Sequence, residues 1–348
     1  MAVKINLALQ GGGAHGAFSW GVTDRLLEDD DIEIAGISGT SAGALNGAAI
    51  KAGLSISQGP TGRRAARENM AFVWSQVSQV SDSGCVRWLY SMFPAPRQFQ
   101  RWTETFSPMA WLENVYRFVS PYDFGPFYSN PLANIIRDMP HPRLDRDGGP
   151  RLFISATNVR TGRIRVFDNH EITADTIMAS ACLPTVFKAV DLVDPRTGQT
   201  EAYWDGGYSG NPALFPLYAP ALPRDLVIVN INPMEKAGTP KTPVEIADRI
   251  NEISFNASLL SELRAIYFVK RLFREDRLQG RPMKDVLLHM ISDDVYPGTL
   301  GHMSKLMPNP GLVDDLFRAC RAAADAFIEN HKSKLGQADS FDVSALFS

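Results

Sequence analysis

Apolar residues near the N-terminus fall in short runs, and later in the chain they settle into three- and four-residue steps. Val3 to Leu9 is rich in aliphatic side chains and reads as a buried strand, followed at once by Gly11-Gly12-Gly13-Ala14-His15-Gly16. Ala17 to Glu28 carries Phe18, Val22, Leu26 and Leu27 near helical spacing and is closed by Asp29-Asp30-Asp31. Ile32 to Ile37 alternates like a short strand, and the alanine-rich Ala42 to Lys51 predicts a second helix. The order β-α-β-α favours a parallel sheet covered by helices.

Residues 57 to 150 have a different texture. Trp74, Trp88, Trp102 and Trp111 lie here among many phenylalanines and prolines, which predicts an aromatic-rich helical insertion with irregular connections. Ser57 to Arg64 and His141 to Pro150 read as exposed loops. The stretch Trp88 to Phe127 suits a local aromatic core first, and an acyl-chain pocket or a contact with a membrane surface second. Further on, Arg151 to Asn158 and Arg163 to Phe167 read as strands joined by a turn at Thr161-Gly162. Thr173 to Ala181 predicts a helix ending near Pro184, and Leu226 to Asn232 a strand. Two long helices follow: Pro243 to Phe273, with Ile246, Ile250, Ile253, Ala257, Leu260 and Leu263 at helical steps, and Leu312 to Ile328. Both are expected to cover the sheet or a neighbour. The chain is expected to form one domain over residues 1–348, with a C-terminal helical extension from about 243.

Composition narrows the function classes. The chain has 348 residues, 45% hydrophobic and 21% charged, enough for a large core, and a net charge of −3 gives no basic field for nucleic acid. Cys85, Cys182 and Cys320 are widely spaced and odd in number, which suits reduced thiols better than a disulfide framework or a zinc site. No apolar run reaches the ~18 residues of a membrane span, and Ile5 to Leu9 is too short for a secretory signal. The expectation is a cytoplasmic protein with room for peripheral membrane contact.

The candidate chemistry begins at Gly39-Thr40-Ser41-Ala42-Gly43, a G-x-S-x-G pentapeptide between a strand and a small-residue helix. Such a turn strains its central residue, admits only small neighbours at Gly39 and Gly43, and presents the hydroxyl at a helix N-terminus. A serine needs a base. The histidines His15, His141, His170, His289, His302 and His331 offer no evident partner, with His170 alone following a strand. Tyr203-Trp204-Asp205-Gly206-Gly207 has a stronger local case, because paired glycines leave space beside a carboxylate, although a plain β-turn would look the same. Gly11-Gly12-Gly13 can aim several N–H groups at one point, as an oxyanion hole requires. The same glycines with Gly16 satisfy G-x-G-x-x-G, and Glu33 lies 17 residues beyond Gly16, so a dinucleotide site competes. That reading leaves the Ser41 turn without a purpose.

Taken in order, Gly11-Gly12-Gly13-Ala14-His15-Gly16, Gly39-Thr40-Ser41-Ala42-Gly43 and Asp205-Gly206-Gly207 resemble the patatin-like phospholipase family. Ala179-Ser180-Ala181-Cys182-Leu183-Pro184 resembles the block that precedes its Asp-Gly-Gly segment, and the likeness spans roughly residues 5–216. It implies an α/β fold, a parallel-rich sheet flanked by helices in three layers, with a Ser–Asp dyad in place of a triad. Ser41 would be the nucleophile and Asp205 the base. The N–H groups of Gly12 and Gly13, with Gly11 and Ala14, would hold the oxyanion, and Gly206 and Gly207 would support the aspartate. His15 departs from the arginine or lysine that many members carry there, and a supporting hydrogen-bonding role is expected of it. No metal or other cofactor is implied.

The implied activity is hydrolysis of a fatty-acyl ester of a phospholipid or lysophospholipid. An esterase or thioesterase acting on smaller or neutral acyl substrates, and a non-catalytic lipid-binding module, are the alternatives. Oligomeric state is not legible in the sequence.

Overall fold

In the computed structural model the described residues are 2–80, 120–123, 130–141, 147–184, 186–195, 197–236, 238–278, 283–292 and 310–347. Their strands are β1 (Val3–Leu9), β2 (Ile32–Thr40), β3 (Arg151–Asn158), β4 (Ile164–Asp168), β5 (Val190–Val193), β6 (Thr200–Asp205), β7 (Asp225–Asn230) and β8 (Leu287–Ser292). All belong to one sheet of order β5-β6-β3-β2-β1-β7-β8, with β4 also paired to β3. The run β3-β2-β1-β7-β8 is parallel throughout, while β4, β5 and β6 pair antiparallel at the β3 side. The expected hairpin is present: Ile154 pairs with Phe167, and Gly162 turns the chain with φ 66°.

The helices are α1 (Ala17–Leu26), α2 (Ala42–Leu54), α3 (Pro60–Val80), α4 (Pro131–Arg137), α5 (Ala174–Ser180), α6 (Pro243–Arg274) and α7 (Pro310–His331). Alternation along the central strands creates two cores. Val227 and Val229 of β7 pack on one side with Ile5, Leu7, Phe18, Ile50 and Cys320, whereas Leu226 and Ile228 pack on the other with Leu259, Leu263 and Leu288. A sheet apolar on both faces must be covered on both, and the result is a three-layer α/β/α arrangement. The parallel-rich sheet flanked by helices is therefore as the sequence predicts.

Three expectations need correction. Ser57 to Arg64 is a loop only in part, because Pro60 opens the 21-residue α3, and proline is favoured at a first helical turn. β5, β6 and β8 lie in segments that carried no strand expectation. On α6 the isoleucines do not cover the sheet: Ile246, Ile250 and Ile253 are 43%, 58% and 54% exposed. Leu259, Leu263 and Ile266 form the buried face instead, about 120° around the helix from Ile253. The expectations for Trp88, Trp102, Trp111 and the phenylalanines from Phe93 to Phe127 fall outside the described residues.

Trp74, by contrast, is described and 1% exposed. Its indole N–H donates to Asn46 Oδ1 at 2.8 Å, which fastens α3 to α2, and Asn46 Nδ2 donates in turn to the Gly16 carbonyl at 2.9 Å. Replacing Trp74 by Phe leaves a buried amide oxygen without its donor and a void beside it. The expected loss is about 2–4 kcal/mol of stability, read as a lower denaturant midpoint at unchanged slope.

Candidate active site

Strand β3 is the rail on which the site is assembled. Thr40, the last residue of β2, pairs with Ser155, and Asp205, the last residue of β6, pairs with Ala156. Two strands from distant parts of the sequence thus end at adjacent positions along a third. The parallel strand β2 delivers Ser41 to its C-terminal end, where a following helix begins, and the antiparallel β6 delivers Asp205 to the same place.

Ser41 has φ 55° and ψ −122°, a left-handed conformation for a residue with a side chain, and α2 starts immediately after it. Strain of this kind persists only where the surroundings enforce it. Here Ser180 Oγ accepts the Ser41 N–H at 2.9 Å and donates to the Ser155 carbonyl at 2.7 Å. Thr40 Oγ1 donates to the Gly210 carbonyl at 2.7 Å, and Ser38 Oγ to that of Ala213 at 2.5 Å, tying the turn to the segment after Asp205. The turn is also sterically locked, since a Cβ at Gly43 would stand 2.1 Å from the Leu9 carbonyl oxygen. The N-terminus of the 13-residue α2 places its positive dipole end at the hydroxyl.

Asp205 is fully buried. Its Oδ1 accepts the Gly207 N–H at 2.7 Å, its own N–H donates to the Cys182 carbonyl at 2.8 Å, and its carbonyl accepts the Thr157 hydroxyl at 2.8 Å. Among the described residues Oδ2 completes no hydrogen bond, although the Ser41 hydroxyl is near enough to favour its charge. Burial pushes this carboxyl from its ordinary 3.8 up to about 7, against the opposing pull of the Gly207 N–H and the Ser41 hydroxyl. Among the described residues no histidine acts on it. His170 sits on the turn after β4, where Asn169 accepts the Leu152 N–H at the opposite end of β3. Burial first, and then the nearby Asp205 charge, raise the Cys182 thiol to about 12, which makes it a neutral neighbour and no rival nucleophile.

The glycine loop approaches from the end of β1. A Cβ at Gly11 would meet the Ser41 Cβ at 2.7 Å, so the loop and the serine turn are in direct contact. Gly11 was expected to contribute an oxyanion donor, and the structure corrects this: its N–H is already committed to Asn211 Oδ1 at 2.6 Å, a short and fully buried bond. Asn211 and Asn232 also donate to the Gly11 carbonyl, at 3.3 and 3.1 Å. Gln10 Oε1 accepts the Ile231 and Asn232 N–H groups at 2.7 and 2.9 Å, while its Nε2 donates to Asn256 of α6 at 2.9 Å. These amides clamp the loop ahead of Gly12. Past it, Gly13 takes φ 58° and opens a 3-10 turn over Gly13–Gly16. The N–H groups of Gly12, Gly13 and Ala14 have no acceptor among the described residues. His15 is 1% exposed within that turn.

Ser180, Asn211, Gln10 and Asn232 were given no role by the sequence. Ser180 lies in a segment singled out for its resemblance and Asn211 follows the Asp-Gly-Gly block, but their partners lie 139 and 200 residues away. The dinucleotide alternative loses its acid. Glu33 pairs in register with Lys4 near the start of β1 and β2, at the end of the sheet away from the glycine loop, and the two side chains meet at 3.2 Å. Among the described residues no group of three or more His, Cys, Asp or Glu side chains is gathered as a metal would require. No helix of the described residues is long and apolar enough to cross a membrane.

A mostly parallel sheet between helical layers, with a strained serine at a strand-to-helix turn, defines an α/β architecture of the kind that carries serine hydrolases. Comparison assigns the family: the patatin-like phospholipase profile matches residues 7–218. The chain belongs to that family of lipid acyl hydrolases. No curated protein matches it. Among solved structures, VipD from Legionella pneumophila is similar over 90% of this chain and 67% of its own length, at 13% identity and a TM-score of 0.30.

The raised carboxyl has a consequence for stability that does not depend on any activity. Between the unfolded value near 3.8 and the folded value near 7, the unfolded chain releases a proton that folded Asp205 retains. Stability is therefore lost as pH rises through this window, by on the order of 4 kcal/mol, and stays lower above it. Asp205→Asn removes that cost. The variant is expected to match wild type near pH 4 and to melt at a higher temperature at pH 8, as scanning calorimetry at the two pH values would record.

Proposed function

We propose that the chain hydrolyses fatty-acyl esters of phospholipids or lysophospholipids through a Ser41–Asp205 dyad, with an acyl-enzyme intermediate. The observation that carries this reading is the meeting of a strained Ser41 and a buried Asp205 with one unsatisfied carboxylate oxygen, at adjacent positions along β3. An aspartate at its ordinary value is a poor base at neutral pH. One raised to about 7 is matched to proton transfer there. In the proposed first step Asp205 Oδ2 takes the Ser41 proton as Oγ attacks the ester carbonyl. The N–H groups of Gly12, Gly13 and Ala14 face the developing oxyanion, Asp205 returns the proton to the leaving alcohol, and the acyl group is left on Ser41. Water, deprotonated by the same carboxylate, then releases the fatty acid. Gly11 acts through Asn211 to hold the loop in place. Gly39 and Gly43 shape the turn, Gly206 and Gly207 orient the carboxylate, and His15, buried in the turn that ends the glycine loop, is a supporting residue.

Three readouts test the assignment. Wild type is expected to react with a fluorophosphonate and to hydrolyse phospholipid vesicles, and folded Ser41→Ala to do neither. Asp205→Asn, which keeps the oxygen that accepts from Gly207 N–H, should lower turnover by roughly 10²–10⁴-fold, the usual share of a general base. Because only ionised Asp205 can take the proton, kcat should climb as pH rises through about 7. Full activity of folded Ser41→Ala would overturn the dyad, and preference for short soluble esters over vesicles would replace the lipid substrate with a small one.

A further inference from the structure

Helix α6 presents one apolar face that the described residues leave exposed. Ile246, Ile250 and Ile253 are about half exposed, Phe268 is 51% exposed, and all four recur on the same side of the helix at three- and four-residue steps and their multiples. Arg264 and Arg271 complete the row. At the arginine end lies an open groove of about 590 Å³ whose walls come from α6 and from Leu346 and Phe347. The Arg264 guanidinium lies over the Phe347 ring, 5.2 Å from its centroid, and that of Arg271 over Phe268 at 5.5 Å. Among the described residues no carboxylate pairs with Arg264, and Arg271 meets Glu275 at 3.6 Å. Stacked guanidiniums held against aromatic rings are preorganised donors for an oxyanion such as a phosphate.

Charge follows the same polarity. Residues 264–277 contain Arg264, Arg271, Arg274 and Arg277 against Glu275 and Asp276, a local excess of +2 once Lys270 is set aside as the partner of Asp339 and Asp285, and Asp342 is the further carboxylate that Arg274 acts on. Glu245 and Asp248 flank the isoleucines, so attraction to anions is concentrated at the arginine end. An apolar ridge continuous with a basic, aromatic groove matches the boundary of a bilayer, where acyl chains meet phosphate headgroups. A ridge one side chain wide falls short of the roughly 800 Å² per partner that a stable protein interface buries, which disfavours a second copy of this chain as its occupant.

We propose that this face of α6 docks the protein on an anionic phospholipid surface, the isoleucines entering the apolar boundary and the Arg264–Arg271 groove receiving headgroup phosphate. The proposal rests on the lipid-hydrolase reading for its purpose, and its test is separate. Neither face nor groove contains a residue of the candidate active site.

The test is flotation of the full chain with phosphatidylcholine vesicles, with and without phosphatidylglycerol. Wild type should float with the anionic vesicles and release at high salt. Arg264→Glu/Arg271→Glu should lose the gain due to phosphatidylglycerol, roughly 10- to 30-fold at about 1 kcal/mol per arginine. Ile250→Asp/Ile253→Asp should bind neither vesicle. Turnover of a soluble short-chain ester should be unchanged in both variants, which also shows that they fold. Wild type that does not float, or variants that float as wild type does, would overturn the proposal. So would a wild-type dimer in analytical ultracentrifugation that Ile250→Asp/Ile253→Asp dissociates, since the ridge would then be a contact between copies. If wild type floats but neither turns over ester nor reacts with fluorophosphonate, the hydrolase reading fails and the docking surface stands.

Discussion

Everything at this site follows from taking one carboxylate out of water and giving it too few partners. Asp205 is wholly buried, receives one backbone N–H from Gly207, and among the described residues its second oxygen completes no hydrogen bond and has only the Ser41 hydroxyl near it to favour its charge. A buried carboxylate so poorly satisfied resists ionisation, and its proton affinity rises to the range in which a serine can be activated at neutral pH. A histidine reaches that range without help. An aspartate reaches it only through the protein around it, and under the proposed dyad the fold supplies as desolvation what a triad supplies as a third residue.

The surrounding architecture maintains that unfavourable arrangement. β3 carries the ends of β2 and β6 side by side, which fixes the separation of Ser41 and Asp205 through backbone pairing and leaves little to side-chain freedom. Ser180 holds the strained serine by its N–H, and Asn211 holds the glycine loop through Gly11. Each of these polar groups is itself buried and answered by a second partner, so the strain and the desolvation are both offset by a dense hydrogen-bond network. The cost is localised at Ser41 and Asp205. That distribution is expected where function and stability compete.

Much of this was legible in the sequence wherever the signal was local. The strand–glycine–helix and strand–serine–helix units at the N-terminus declare themselves by spacing, and the Thr161-Gly162 hairpin by its turn residues. The site's supporting residues do not, because Asn211 finds Gly11 200 residues away and Ser180 finds Ser41 across 139. β6 was missed for a related reason. Thr200 to Asp205 has little hydrophobic alternation of its own and becomes a strand by pairing with β3 and β5. Helical spacing on α6 correctly gave a helix, but of the stripe it marked only Leu263 is on the fully buried side. The face bearing Leu259, Leu263 and Ile266 lies on the sheet, and the isoleucines were left outside. Periodicity reports that a stripe is apolar, and only tertiary packing decides which of two stripes is covered.

The central claim concerns the protonation state of one side chain, and the most direct measurement observes that side chain. Carbon-13 NMR of protein labelled at the aspartate carboxyls, with the Asp205 signal assigned by its absence in Asp205→Asn, would follow the titration of the carboxyl itself. The account predicts a midpoint near pH 7. A midpoint in the ordinary aspartate range would contradict it, because a carboxylate ionised that easily is neither desolvated nor poised to act as the base for Ser41.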